Sequence, residues 1–164
     1  MIKFIILGAT AIICGYIGFG VSRFYTNRSK FFKSLELLFD KLKSEISFSQ
    51  NKLIEIVSSY ECPSTEAKKL IQNFVDCLNF DKPISKENLF NGIKILHEEE
   101  KSFLEIFFKT LGKFDALNQT SQLENQKVEL GGLYKKADEE AKRYAPLYSK
   151  LGIIVGLVIA LVFA

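Results

Sequence analysis

The one histidine of this chain, His97, is followed directly by Glu98, Glu99 and Glu100. Histidine and carboxylate side chains close together are typical ligands of zinc and di-iron sites. A zinc protease helix needs a second histidine four residues on, and that position holds Lys101. A di-iron bundle needs two Glu-x-x-His pairs, which one histidine cannot supply. We therefore predict no metal here and interpret the glutamates as the solvated first turn of a helix, where negative charge is favoured.

The three cysteines, Cys14, Cys62 and Cys77, are the other candidates for chemistry. A Cys–His nucleophile would have to pair Cys62 or Cys77 with His97, and nothing in the surrounding sequence indicates such a pair. Phosphate-binding loops and the G-x-S-x-G elbow of hydrolases are absent from the sequence. We therefore predict that the protein is not an enzyme and has no cofactor, and we expect its function to lie in contacts.

Two apolar stretches, residues 4–21 and about 147–164, lie at the two ends of the sequence. The first carries no charge and would form a helix about 27 Å long, close to the ~30 Å hydrocarbon thickness of a bilayer. The second reaches about 30 Å if it begins near Ala145, with Lys150 extending to the interface. Both are predicted to be transmembrane helices, and the alternative for the first is a cleaved signal peptide.

The basic residues beside these stretches predict their orientation. Only Lys3 lies on the outer side, whereas the inner flanks carry Arg23, Arg28, Lys30, Lys142, Arg143 and Lys150. The positive-inside rule therefore places the middle of the chain in the cytoplasm and both termini across the membrane, and the flanks suit anionic lipid headgroups. We predict a transmembrane helix at residues 1–22, a cytoplasmic helical bundle at 23–145 and a second transmembrane helix at 146–164.

Small residues recur at helical spacing within both apolar stretches. They are Gly15 and Gly18 in the first and Gly152 and Gly156 in the second. Such rows let helix backbones approach closely. The sequence leaves three alternatives open: the rows pair the two stretches, they pair two protomers, or they reflect only the frequency of glycine in membrane helices.

The middle region predicts helices throughout. Apolar residues recur at three- and four-residue steps, without a convincing run of period-two alternation. The predicted inner faces are Phe31, Leu35, Leu38, Phe39, Leu42 and Ile46; Leu89, Phe90, Ile93 and Leu96; and Phe103, Leu104, Ile106, Phe107 and Phe108. Ser64 and Ser85 stand where N-caps are expected, and a weak point is expected at Gly131 and Gly132 in the last helix. The predicted fold is all-α, an antiparallel bundle of about six helices flanked by the two transmembrane helices.

The charge of the middle region argues against a nucleic-acid partner. Its acidic and basic residues nearly balance, so the net charge of +3 comes mostly from the membrane flanks. Fifteen Phe and no Trp give ample apolar material for one core.

Several short elements occur along the chain in a recognisable order. They are Gly18-Phe19-Gly20 followed by Arg23; Leu42-Lys-Ser-Glu45-Ile46; Leu111-Gly112-Lys-Phe-Asp115 followed by Gln119; and Tyr148-Ser-Lys-Leu151-Gly152. In this order they resemble the stage III sporulation protein AB family of endospore-forming bacteria, over nearly the whole length. The Leu-Gly-x-x-Asp-x-x-x-Gln element is the most specific, although the family often has a small Ser where this chain has Phe114.

The resemblance implies both a structure and a set of partners. The soluble region would be similar to the cytoplasmic domain of the platform proteins of type II secretion and type IV pili. Its partners would be a secretion-type ATPase and further membrane proteins, which together build a channel between mother cell and forespore. The chain would lie in the mother-cell membrane.

Three residues are candidates for docking such an ATPase: Gly112, Asp115 and Gln119. Gly112 and Asp115 lie in a turn between two predicted helices, and Gln119 follows that turn. Turns at the tip of a rigid bundle often carry binding surfaces, so the turns at residues 49–51, 62–64 and 81–83 are further candidates. The alternative role for Gly112 and Asp115 is plain helix termination and capping.

These observations favour a non-enzymatic platform, which would assemble in several copies with other membrane proteins. The alternative is a membrane-anchored regulator or chaperone that binds soluble helices through a Phe-rich surface. An enzyme acting at the lipid surface is a third hypothesis, but it needs a polar cluster inside the bundle, and the sequence indicates none.

Overall fold

A computed structural model of the chain describes residues 2–48, 53–111 and 119–163, with side chains over 8–44, 53–111 and 124–162. Regular structure within these ranges is entirely helical, which confirms the all-α prediction. The helices are α1 (Ile2–Phe48), α2 (Leu53–Ser58), α3 (Thr65–Asn79), α4 (Lys86–Leu89), α5 (Glu98–Leu111) and α6 (Gln119–Phe163).

The chain divides into two compact units. The first, which we call the two-helix unit, consists of Met1–Ser29 and Lys136–Ala164, and so contains the beginning of α1 and the end of α6. The second, the bundle unit, is Lys30–Lys135 and contains the rest of both long helices together with α2 to α5.

The core of the bundle unit is built on α1. The predicted inner face is confirmed, because five apolar side chains at helical spacing are at most 2% exposed: Phe31, Leu35, Leu38, Phe39 and Leu42. The ring of Phe39 stacks on that of Phe107 from α5 at 4.0 Å between centroids. Phe108, also on α5, packs on Phe74 of α3 at 4.6 Å. Aromatic contacts of this kind add to the free energy gained from apolar burial.

Helix α3 begins as the sequence predicts. The hydroxyl oxygen of Ser64 accepts a hydrogen bond from the backbone N–H of Ala67 at 3.4 Å, which satisfies one of the unpaired donors of the first turn. Its buried face includes Leu70, Ile71 and Phe74.

The helix expected after Ser85 is only one turn long and ends at Leu89. The side-chain amide of Asn73 donates to the carbonyl oxygen of Leu89 at 2.8 Å, an oxygen that a longer helix would use itself. Gly92 follows with φ +72°, a conformation that glycine adopts without steric cost. The predicted inner residues Ile93 and Leu96 are nevertheless buried.

Helix α5 is capped by the residues that looked like metal ligands. The carboxylate of Glu100 accepts a hydrogen bond at 2.8 Å from the backbone N–H of His97, just before the helix begins. This is half of a capping box, and it accounts for a glutamate that is only 4% exposed. The expectation that Ile106 lies inward is wrong, since 61% of it is exposed.

Helix α6 is continuous from Gln119 to Phe163. It passes through Gly131 and Gly132 without interruption, so the expected weak point is not observed as a break. It also continues through Pro146, although a proline cannot donate the helical hydrogen bond to the carbonyl four residues earlier.

Candidate functional site: a close-packed helix pair and its polar collar

The beginning of α1 and the end of α6 touch at two glycines. A Cβ atom added to Gly18 would lie 2.6 Å from the carbonyl oxygen of Tyr148 and 2.9 Å from Cα of Gly152. A Cβ atom on Gly152 would lie 2.8 Å from the carbonyl oxygen of Cys14. Real Cβ atoms essentially never approach so closely, and small residues are what bring apolar helix backbones together. The small-residue rows therefore pair the two helices of one chain.

The other two predicted packing glycines differ from each other. Gly156 belongs to the contact, because a Cβ there would lie 3.0 Å from the carbonyl oxygen of Ala11. Gly15 does not, because no atom lies within 4 Å of its Cβ position. The expectation for Gly15 is corrected, because it lies to one side of the contact line that runs through Ala11, Cys14 and Gly18, about 60° around the helix from Gly18.

Large apolar side chains cover the outside of this helix pair. Exposed examples on α1 are Ile12, Ile13, Ile17 and Phe19, and on α6 Ile153, Ile154, Leu157, Leu161 and Val162. Among the described residues one helix segment, Glu124–Val162, is long and apolar enough to cross a membrane. Its most apolar window has a mean hydropathy of 2.0 and is 11% buried.

Three tyrosines form a cluster where the apolar surface ends. The ring of Tyr25 on α1 stacks on Tyr148 at 5.9 Å and approaches Tyr144 at 5.4 Å. Burial, followed by the neighbouring Tyr148, raises the pKa of Tyr25. Tyrosine rings with one apolar and one polar end are typical of a membrane–water interface.

Beyond the tyrosines lies a polar collar that joins the same two helices. The guanidinium of Arg28 donates to the carboxylate of Glu140, and the hydroxyl of Ser29 donates to Asp138 at 3.2 Å. Asp138 also pairs with Lys142 at 2.5 Å, on its own helix. Arg28 is 2% exposed, so the expectation that it faces lipid headgroups is wrong.

The remaining predicted flank residues are all exposed. Arg23 places its guanidinium carbon 5.7 Å from the ring centre of Phe19, and Arg143 lies 5.5 Å from that of Tyr144. Lys150 lies beyond the tyrosines among the apolar residues of α6, and Lys30 belongs to the bundle unit.

The bundle unit carries an open hollow of about 580 Å³ on its surface, lined by Leu37, Tyr60, Glu61, Cys62 and Pro63. The phenol of Tyr60 donates a hydrogen bond at 2.9 Å to the backbone oxygen of Ser34 on α1. Burial raises the pKa of Tyr60 to about 12. Cys62 at the rim is a free thiol, as are Cys14 and Cys77.

Two of the three predicted docking residues, Gly112 and Asp115, lie outside the described residues. Gln119 is the first residue of α6, and its side chain is not among those described. Their role stays a prediction. Within the described part of the chain, no group of three or more His, Cys, Asp or Glu side chains is arranged to hold a metal ion.

Sequence reasoning missed the Arg28–Glu140 pair, although a signal for it exists. Arg28 precedes the buried Phe31, Phe32 and Leu35 by three, four and seven residues, so it continues their inward face. A cation on such a face needs a carboxylate partner, and the acidic residues of α6 nearest the second apolar stretch, among them Glu140, are the candidates.

Comparison with known proteins identifies a family. The sequence fits the family model described as stage III sporulation protein AB over residues 3–164, which includes nearly all of both units. No curated protein and no solved structure shows significant similarity to the chain.

Proposed function

The chain belongs to the stage III sporulation protein AB family, which implies a role in sporulation, and on this premise we propose that it is a non-enzymatic membrane platform. The platform serves a secretion-like channel complex of endospore formation. The two-helix unit anchors it in the mother-cell membrane, and the bundle unit docks a secretion-type ATPase on the cytoplasmic side.

The observation that carries this proposal is the Gly18–Gly152 contact within an apolar helix pair. In water, such a pair would leave its large apolar outer surface solvated, which costs free energy in proportion to its area. In a bilayer the same surface contacts lipid, and close backbone packing is what holds helices together there. The tyrosine cluster and the collar then lie at the interface, and residues 1–22 and 146–164 form the two spans.

The bundle unit has surfaces suited to a partner. Its core is closed by the stacked phenylalanines, yet Phe80 and Ile106 remain largely exposed, and Leu37 lies in the open hollow beside Cys62. Apolar side chains in a polar rim are typical of protein–protein contacts. These positions, together with Gly112 and Asp115, are where we propose to look for the ATPase.

Site-specific crosslinking in sporulating cells tests the proposal. A photoreactive amino acid is placed in the tagged full-length protein at Leu37, Phe80 or Ile106, and the captured partners are identified by mass spectrometry. Ile154 serves as the matched control, because it is equally apolar and exposed but lies in the two-helix unit. We expect the bundle positions to capture a secretion-type ATPase and Ile154 to capture membrane proteins or lipid.

The opposite result distinguishes the alternative function. If the bundle positions capture unrelated soluble proteins, or only further copies of the chain, the platform hypothesis is wrong. A membrane-anchored regulator or chaperone would then be the better description.

A further inference from the structure

Helix α6 carries a row of three exposed basic residues, Lys136, Arg143 and Lys150. They are seven residues apart, which is close to two helical turns, so they lie on one face. That face is opposite Gly152 and Gly156, the residues through which α6 packs on α1. The row is therefore directed away from the helix pair.

The antiparallel contacts show how deep Lys150 lies. Gly18 is beside Gly152, and Tyr25 is beside Tyr148, so Lys150 is roughly level with Gly18. Residues 4–22 carry no charge, and Lys150 is the only charge in residues 146–164. It lies four residues, or about 6 Å, inside the proposed span.

The direction of its side chain brings the ammonium group back to the surface. The Cα–Cβ bonds of a helix tilt toward its N-terminus, and on α6 that direction leads from the apolar end toward Arg143. A lysine stem can therefore follow the apolar surface and place its charge at the headgroup level. Arg143 is about 10 Å further along the same face, so the two cations face one layer of lipid phosphates.

No carboxylate of the two-helix unit can neutralise Lys150. The acidic residues of this unit are Asp138, Glu139 and Glu140, and the nearest is ten residues, or about 15 Å, along the helix. A second copy of the chain is a poor partner too, because twofold pairing through this face would bring each Lys150 against its own copy. At the headgroup level, the anions available to Lys150 are the phosphates of anionic lipids.

We propose that Lys150 and Arg143 together bind the phosphate of an anionic phospholipid. The site rests on the membrane placement proposed above, and adds to it a defined lipid ligand and a fixed depth for the helix pair. Lys136 belongs to the same row but lies about 21 Å from Lys150, well beyond the ~8–10 Å over which salt leaves a charge unscreened.

Lipid retention by the full-length protein tests the site. The protein is placed in nanodiscs that mix phosphatidylglycerol with phosphatidylcholine, and native mass spectrometry counts the lipids that remain bound. We expect selective retention of phosphatidylglycerol. Lys150→Gln should lower that selectivity about fivefold, corresponding to about 1 kcal/mol for one cation at an anionic surface. Lys150→Arg should preserve it.

The matched control is Lys136→Gln, which removes the same charge from the same face of the same helix. It should leave the selectivity unchanged, and Lys150→Gln together with Arg143→Gln should abolish it. Equal retention by wild type and Lys150→Gln, or an equal loss in Lys136→Gln, would overturn the lipid site.

Carbonate extraction of the same variants from cell membranes separates the two proposals. If the wild type resists extraction while Lys150→Gln keeps its selectivity, only the lipid site is wrong. If carbonate releases the wild type, the membrane platform itself is wrong, and the lipid site falls with it.

Discussion

At the scale of single residues, the close contact in the two-helix unit depends on the absence of a Cβ atom at Gly152. A methyl group there would lie 2.8 Å from a carbonyl oxygen and 2.9 Å from Cα of Gly18, both of them backbone atoms that cannot turn aside. The two helices must separate to admit it. The glycine therefore determines how near the two backbones come.

We expect Gly152→Ala to lower the melting temperature of the full-length protein in detergent, followed by circular dichroism. Gly15→Ala is the control, because it adds the same methyl group where no atom lies within 4 Å. The control should be neutral or slightly stabilising, since alanine favours helix over glycine by up to about 1 kcal/mol. Equal changes in both variants would show that the close contact is not the cause.

The buried Arg28–Glu140 pair gives a second prediction. Glu140→Gln removes the charge of the carboxylate that pairs with the Arg28 guanidinium; Arg28 is 2% exposed and Glu140 is 25% exposed. Breaking a fully buried pair costs about 3–5 kcal/mol, so the partial exposure lowers our expectation to about 2 kcal/mol of unfolding free energy. The measurement is a denaturant titration of both variants. Glu139→Gln, one position away and exposed, should change the unfolding free energy little. An equal loss in both variants would contradict a specific pair.

The raised pKa of Tyr60 predicts that the protein loses stability at alkaline pH. Its pKa in the folded protein is about 12, against 10.0 as the ordinary value, so the unfolded chain releases the proton first. The stabilisation is therefore complete below about pH 10 and is lost as the pH rises toward 12. Tyr60→Phe should cost about 1 kcal/mol at neutral pH through the lost hydrogen bond to Ser34. The gap between the two denaturation midpoints should narrow from pH 10 to 12, and a constant gap would refute this assignment.

At the scale of helices, the positions of starts and cores were predictable, and the positions of ends were less so. The inner face of α1 and the start of α3 follow from apolar spacing and from Ser64, which are local properties of the sequence. At the early end of α4, the carbonyl oxygen of Leu89 accepts a hydrogen bond from Asn73 of another helix. A local sequence pattern cannot predict this hydrogen bond, because it forms only when α3 and α4 pack together.

The candidate site was likewise only partly predictable from the sequence. Glycine spacing predicted that a close contact exists, but Gly15 fits the same spacing as Gly18 and only the geometry excludes it. Counting positive charges placed Arg28 with the flank residues, whereas its burial depends on Glu140, far along the chain. Periodicity likewise predicted that Ile106 is buried, whereas the packing of α5 leaves it exposed.

The two serines that begin helices allow a matched test of capping. Ser64 bonds the backbone of α3 through its side chain, whereas Ser85 occupies the same position of α4 without such a bond. We expect Ser64→Ala to lower the unfolding free energy by about 1 kcal/mol and Ser85→Ala by less, measured by urea denaturation. A larger loss of unfolding free energy at Ser85 would show that the N-cap propensity of serine, and not its side-chain hydrogen bond, determines the effect.

At the scale of the whole molecule, the native cysteines report the proposed topology. Cys62 is half-buried in the bundle unit, and Cys77 is buried there, where burial raises the pKa of its thiol. In intact bacterial spheroplasts, a membrane-impermeant maleimide should leave both unlabelled. After permeabilisation it should label Cys62 faster than Cys77, because Cys77 is buried and its raised pKa leaves less of the reactive thiolate. Labelling of Cys62 in intact spheroplasts would reverse the proposed orientation.

The antiparallel course of α1 and α6 in the two-helix unit has an electrical consequence. Each helix carries a dipole equivalent to roughly half an elementary charge at either end, and two helices running in opposite directions cancel each other. In a bilayer as proposed, a transmembrane voltage therefore acts on the pair mainly through Lys150. A full charge crossing the membrane is worth about 2.3 kcal/mol per 100 mV, and a lysine held at one surface crosses almost none of that field. Such an anchor keeps its position whether or not the membrane around it is energised.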